Sequence, residues 1–412
     1  MDNQIFTADF FKNNRQRLLS ESKLDLIIIP GSADVQKSLD TAYPFQQDNN
    51  FFYLTGINES ENILVIRPGN KSYLIMAKEN HIHDIFEGSA DLTADQATSG
   101  LELLLNNEEG WKKLKADLKS AKKAGTLLPS PAYNEYYRFF VQPFRRQIIN
   151  RIKRYQPDIE LVDLRRSLAT MRTVKQKPEI AAISQAVNIT SQAIQEVSRK
   201  LKAGKYNYAF EIEADLFASF RSKGAQGHAF QPIVALGDRA VIVHYSRNDQ
   251  PISPNQLLLM DVGCGYSFYA SDISRTYQVG QATDRQQQVH AAVKKVQAAV
   301  IEAVKPGVNI RELDKLSENL IGEELIKLGL IDELDTEKIR TYYPYSVGHS
   351  LGLDVHDAAD YTMNLTKDMV ITVEPGIHIP EESIAVRIED DILVTADGHI
   401  NLSQSLTSSI EG

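Results

Sequence analysis

The 412-residue sequence predicts an α+β protein of two domains, a smaller α/β domain over residues 1–172 and a larger one over 173–412. Three observations lead there. Short β-rich apolar runs alternate with helix-like segments in the first third, the pattern changes at a charged stretch near 165–178, and the remainder twice places two helical stretches before a set of strands. The length exceeds one ordinary core. Hydrophobic and charged fractions of 42% and 24% are those of a soluble globular chain with ample core material.

Taken in order, LDLIIIPG (24–31), ILVIRPG (63–69) and SYLIMAK (72–78) read as strands, each ended by turn residues or charge. WKKLKADLKSAKK (111–123) and RRQIINRIKR (145–154) read as amphipathic helices whose basic residues form a solvated face. RRSLATMRTVKQKPE closes the first domain, because it lacks large apolar residues and ends on a proline suited to a first helical turn. Helices follow at 178–202 and 207–223, then strands around 231–245 and 256–262. A second helical pair at 284–304 and 310–329 precedes a last set of strands from 345 onward. That order suggests an internal duplication without a residue-level repeat.

The net charge of −9 disfavours nucleic acid, whose phosphates need a surplus of Lys and Arg on one face. The longest apolar stretch, at 24–30, is too short to cross a bilayer, and MDNQIFTADFFKNNRQRL lacks a signal arrangement. A single cysteine, Cys264, excludes an internal disulfide. The expected compartment is a reducing cytoplasm.

Acidic residues carry the functional signal. In LLLMDVGCGYSFYASDISRTY (257–277) two strands flank a glycine-bearing centre, and a turn centred between Tyr266 and Ser267 sets Asp261 directly opposite Asp272. In VITVEPGIHIPEESIAVRIEDDILV (370–394) a turn over Pro380–Ser383 sets Glu374 opposite Glu389. Two like charges at about 4 Å repel by roughly 4 kcal/mol at an effective dielectric near 20. Any one of these acids alone would more often be a strand-end or salt-bridged carboxylate. Four of them in apolar strands need cations.

VGHSLGLDVHD (347–357) adds two histidines in a segment whose glycines and Val355 disfavour a helix. On a strand, His349 and His356 point to opposite sides. One ring is read as a ligand, which leaves the other free. With His349 as the nitrogen donor, Asp261, Asp272, Glu374 and Glu389 form an oxygen-dominated set suited to Mn²⁺, with Co²⁺ or Zn²⁺ as further candidates. Five ligands, two able to bridge, can hold two ions about 3.5–4 Å apart, as in two-metal hydrolases. His356, and His244 in AVIVHYSRND, which reads as a strand, are then candidates to donate to substrate or a developing oxyanion.

DVGCGYSFYASDISRTY, VGHSLGLDVHD, TVEPG and RIEDD together resemble the pita-bread metallopeptidases of family M24, in the branch of Xaa-Pro aminopeptidase (aminopeptidase P) and prolidase. AYPFQQDNNFFYLTGINESENILVI (42–66) resembles part of the non-catalytic domain of that branch. The resemblance implies a pita-bread catalytic domain, a dinuclear and usually manganese-dependent centre, and release of the residue preceding a proline in second position. It implies that Asp261 binds one metal, that His349 and Glu374 hold the other, and that Asp272 and Glu389 bridge. A hydroxide shared by the metals attacks, Glu374 handles its proton, His244 and His356 contact substrate, and Arg387 belongs to the pocket. It also implies a homo-oligomer, dimer or tetramer, acting on peptides. Prolidase is the alternative, and a non-catalytic binding protein on the same scaffold the rival from another class. A metal-free creatinase-like amidinohydrolase is disfavoured because every ligand position is filled. Tyr345 stands where the family usually has histidine or alanine, and His378 where many relatives carry tyrosine.

Other signals are set aside. Cys264 has no histidine partner nearby in sequence, and the G-x-G of VGCGYS lacks the third glycine of a dinucleotide loop. The His81–His83 pair reads as a polar surface loop, and His228, His290 and His399 lack a supporting cluster.

Overall fold

The computed structural model describes residues 5–69, 71–129, 131–139 and 143–412, which divide into two units, Met1–Met171 and Arg172–Gly412. In the first, strands Leu103–Leu105, Tyr73–Ile75, Ile63–Ile66, Ile27–Pro30, Lys123–Thr126 and Glu160–Asp163 line up in that order as one mixed sheet. Helices Asn107–Ser120 and Phe144–Tyr155 bury Trp111, Leu114, Leu118, Ile148 and Ile152 against Leu26, Ile28, Val65 and Ile75. Lys112, Lys115, Lys119, Arg146, Lys153 and Arg154 are exposed, as an amphipathic stripe requires, whereas Arg151 lies over the Trp111 ring. His81 begins a helix, His81–Glu87, where the sequence suggests a loop.

The second unit holds the expected succession of helices and strands. Helix Lys177–Lys202 has Pro178 in its first turn, and the Glu179 carboxylate accepts the Gln176 backbone N–H at 2.8 Å, closing its N-terminus. It packs on strands Cys264–Tyr266, Tyr269–Ala270 and Ile273–Val279. Thr283 and Gln286 cap Asp284–Ala303 reciprocally, at 3.2 and 2.9 Å. The buried stripe of that helix, Val289, Val293, Val296 and Val300, meets Val373, Ile377, Val386 and Ile392 in a single core.

Two hairpins carry the acids, and they differ from expectation in opposite ways. In the second, Gly376 pairs with Arg387 and Val373 with Asp390, so the expected register holds through the Glu374–Pro375 break, and Pro380–Glu382 forms the 3₁₀ turn. In the first, Asp261 faces Ser274, not Asp272. The turn centres one residue later, on Ser267 and Phe268, both with left-handed φ of 48° and 71°. Asp272 lies in a break between strands, where Gly263 approaches Ser271 so closely that a Cβ would run into its carbonyl oxygen. Two further expectations fail. Residues 241–245 form a turn after the short helix Gly237–Ala240, and the last strands begin at Val370, leaving 347–357 irregular.

Candidate metal centre and active site

The segment 347–357 is held by its neighbours in place of a ladder. The Val347 N–H donates to Asp314 Oδ1 at 2.9 Å, and the His349 N–H to Thr372 Oγ1 at 3.2 Å. The Asp357 N–H then closes back on the Ser350 carbonyl at 2.8 Å. The loop this makes brings His349 and His356 together with ring centroids 4.1 Å apart, in contrast to the opposed rings of a strand.

His349 Nδ1 lies 3.1 Å from the Ser350 carbonyl, an arrangement that fixes a proton on Nδ1 and turns the Nε2 lone pair inward. That Nε2 is 3.4 Å from Glu374 Oε1 and 3.5 Å from Asp272 Oδ2. Ligand atoms of Asp272, His349 and Glu389 all lie within 4.8 Å of one another. Asp261 joins through Arg387, whose guanidinium donates to Asp261 Oδ2 at 2.5 Å and to Ser274 Oγ at 3.0 Å. Ser274 Oγ in turn donates to Glu389 Oε2 at 2.8 Å.

Burial raises the carboxyls of Asp272 and Glu389 well above the usual range, and the neighbouring acids push in the same direction. Burial also takes Glu374 up to about 8, with Arg387 opposing and Asp261 reinforcing. The His349 imidazole is pushed down to about 3 by burial, then by His356. Asp261 Oδ1, Asp272 Oδ1 and Glu389 Oε1 are buried with no hydrogen-bond partner among the described residues. Partnerless carboxylate oxygens around an inward-facing imidazole nitrogen are the donor set of a divalent ion, and the residues fit such a group.

The centre opens on a cavity of about 790 Å³, lined by Asp261, Asp272, His349, Glu374 and Arg387. His244 and His356 line it too, beside the apolar Phe230, Ile233 and Val355. Tyr345 and His378, the two departures from the family pattern, meet each other at 3.2 Å. Ser274, Thr372 and Asp391, not singled out in the sequence, are second partners here. Thr372 Oγ1 lies 3.5 Å from Glu374 Oε1, and Asp391 Oδ2 accepts the Asp272 N–H at 3.1 Å. Each stands two residues from a candidate ligand, so strand alternation would have found them.

Paired helices over two acid-bearing hairpins, with a buried carboxylate–imidazole centre at a cavity floor, define a metal-dependent hydrolase. The pattern of metallopeptidase family M24 matches residues 181–396, that of the aminopeptidase P N-terminal domain matches residues 11–124, and the chain belongs to this family. It is similar to Xaa-Pro aminopeptidase 3 of Homo sapiens, 31% identical over 92% of this chain and 78% of the relative. The Xaa-Pro aminopeptidase of Escherichia coli is 30% identical over 97% and 96%. Zinc-substituted Escherichia coli aminopeptidase P in complex with product matches the fold with a TM-score of 0.86 at 27% identity, covering 98% of this chain and 97% of that one. Proline aminopeptidase P II from Yersinia pestis matches with 0.86 at 27%, covering 98% and 99%. The protein is thus a pita-bread metallopeptidase, an exopeptidase that uses divalent metal, and the prolidase alternative is not favoured. Among the described residues no helix is long and apolar enough to cross a membrane.

Proposed function

We propose that the protein is a cytoplasmic Xaa-Pro aminopeptidase, a homo-oligomer in which residues 173–412 are catalytic and residues 1–172 are accessory. Asp261, Asp272, His349, Glu374 and Glu389 are read as ligands of two Mn²⁺ ions. The observation that carries this reading is the convergence of buried carboxylates whose remaining oxygens have no protein partner. When bound, the metals supply an activated water at neutral pH and Lewis acidity toward the scissile carbonyl.

The chain's own residues do the rest. Arg387, itself buried, pins Asp261 and borders the cavity. The apolar wall of Phe230, Ile233 and Val355 suits a pyrrolidine ring. A proline nitrogen carries no hydrogen, so the substrate offers no amide donor there, and the leaving nitrogen must gain a proton. Glu374 borders the cavity, with Oε1 3.4 Å from His349 Nε2, and its carboxylate is read as the group that takes up and passes that proton. His244 and His356 line the cavity, which supports reading them as donors to substrate oxygens.

The test is release of the first residue from Xaa-Pro and Xaa-Pro-Yaa peptides by the Mn²⁺-reconstituted protein. Cleavage of the tripeptide is expected. Cleavage of the dipeptide alone would instead make it a prolidase, and cleavage of neither would point to a binding protein.

A further inference from the structure

Asp357 follows His356 directly, and only 4% of it is exposed. Its carboxylate is the hub of the loop that carries both histidines. Arg172 donates to Oδ1, Lys175 Nζ donates to Oδ2 at 2.7 Å, and the Asp354 backbone N–H reaches Oδ1 at 3.3 Å. Gly352 packs so tightly that a Cβ there would run into Oδ2. The chain from Ser350 to Asp357 therefore winds round one charged group.

The two cations are as buried as the acid, at 1% and 3% exposure. Arg172 also reaches Asp354 Oδ2 at 2.6 Å, while Lys175 Nζ donates to the Arg172 carbonyl at 2.5 Å. The Lys175 N–H is anchored on the Asp368 carbonyl at 2.8 Å. Neither cation lines the cavity, so neither can touch substrate. Burying such a group of charges is a poor route to stability, since well-packed apolar residues do as well or better. What the charges supply is a fixed place: they hold the residue adjoining His356 from two directions.

We propose that Asp357, clamped by Arg172 and Lys175, is a positioning residue that sets the His356 imidazole over the cavity and thereby the rate of peptide cleavage. The inference rests on the reading of His356 as a substrate-contacting group. A displacement of about 1 Å at such a group costs on the order of 10²-fold in rate.

The experiment measures kcat, KM and bound metal on an Xaa-Pro-Yaa peptide for Lys175→Met and Lys175→Arg in the full chain, each alone and combined with His356→Ala. Lys175→Met leaves the Arg172–Asp357 pair intact. It is expected to lower kcat about 10- to 100-fold with little change in KM or metal content, and Lys175→Arg to restore most of the loss. In the His356→Ala background Lys175→Met should cost nothing further, because there is no imidazole left to place. Full activity of Lys175→Met, or a loss that multiplies with that of His356→Ala, would overturn the proposal. If His356→Ala alone leaves kcat intact, the reading of His356 fails and the positioning role goes with it. Should Lys175→Met not fold, Asp354→Asn loosens the same clamp from its exposed side and must show the same dependence on His356.

Discussion

Residues 387–391 form one stretch with two faces, and the faces treat acids oppositely. Asp390 points away from the centre into a saturated network, with Arg275 and Gln297 each donating at 2.7 Å and Ser403 adding a third bond. Glu389 and Asp391 flank it on the other face, equally buried, each with an oxygen that no described residue satisfies. Strand alternation alone puts a matched acid between two unmatched ones. The matched side has its charge satisfied within the protein, while the unmatched side leaves acceptor oxygens that a cation would take if Glu389 is a ligand as proposed.

The largest expected effect breaks the unmatched side. Asp272→Ala removes an acid whose buried Oδ1 has no protein partner, and with it both turnover and metal retention should disappear. The metal-free variant should nevertheless be more stable than metal-free wild type, because one of several mutually repelling charges is gone. Metal analysis, peptide assay and urea unfolding check the three parts. An active Asp272→Ala enzyme would count heavily against the centre as drawn.

A smaller effect comes from the matched side. Asp390→Ala strands the Arg275 guanidinium, which is 1% exposed and also donates to the Glu389 carbonyl at 2.6 Å. Removing one partner of a buried pair costs about 3–5 kcal/mol. Urea unfolding should show that loss both with and without Mn²⁺, whereas the effect of Asp272→Ala on stability should change sign with metal. If both substitutions responded alike to metal, the two faces would not differ in kind.

The same contrast explains what could be seen in the sequence. The register of the second hairpin was legible because Pro380 and its neighbours mark the turn, and alternation then carries Glu374 and Glu389 to one place. The first hairpin misleads because Ser267 and Phe268 give no warning that both take left-handed φ, and a turn displaced by one residue changes every partner. Despite that error Asp272 still comes within 3.5 Å of His349 Nε2, from a break in the hairpin where Gly263 closely approaches Ser271. The loop between His349 and His356 was not legible at all. Its shape is imposed by Arg172 and Lys175, more than 170 residues away in sequence, and local periodicity carries no trace of such a partner.

The finest test of the comparison is the pH dependence of stability. Folded-state carboxyl values are raised at Asp272, Glu389 and Glu374, the last to about 8, so above the unfolded values near 4 these groups hold more protons in the folded protein than in the unfolded one. These acids make the metal-free protein less stable as pH rises through about 8. The buried His349 imidazole, pushed down to about 3, slopes the other way below its unfolded value near 6.5, so the net decline is expected above about 6.5. Asp357 acts at the other end. Burial alone would raise its carboxyl, but Arg172 and Lys175 override that and hold it below the usual range. Its contribution is present above about pH 4 and is lost as pH falls through its folded value. Urea unfolding in chelator from pH 3 to 9 should accordingly show a maximum on the acid side of neutrality. Saturating Mn²⁺ should remove the decline toward pH 9, because the ions then stand where the protons stood, and should leave the acid limb in place, because Asp357 already has its cations. A decline that persists unchanged in Mn²⁺ would mean that the raised acids are not the ones the metal neutralises.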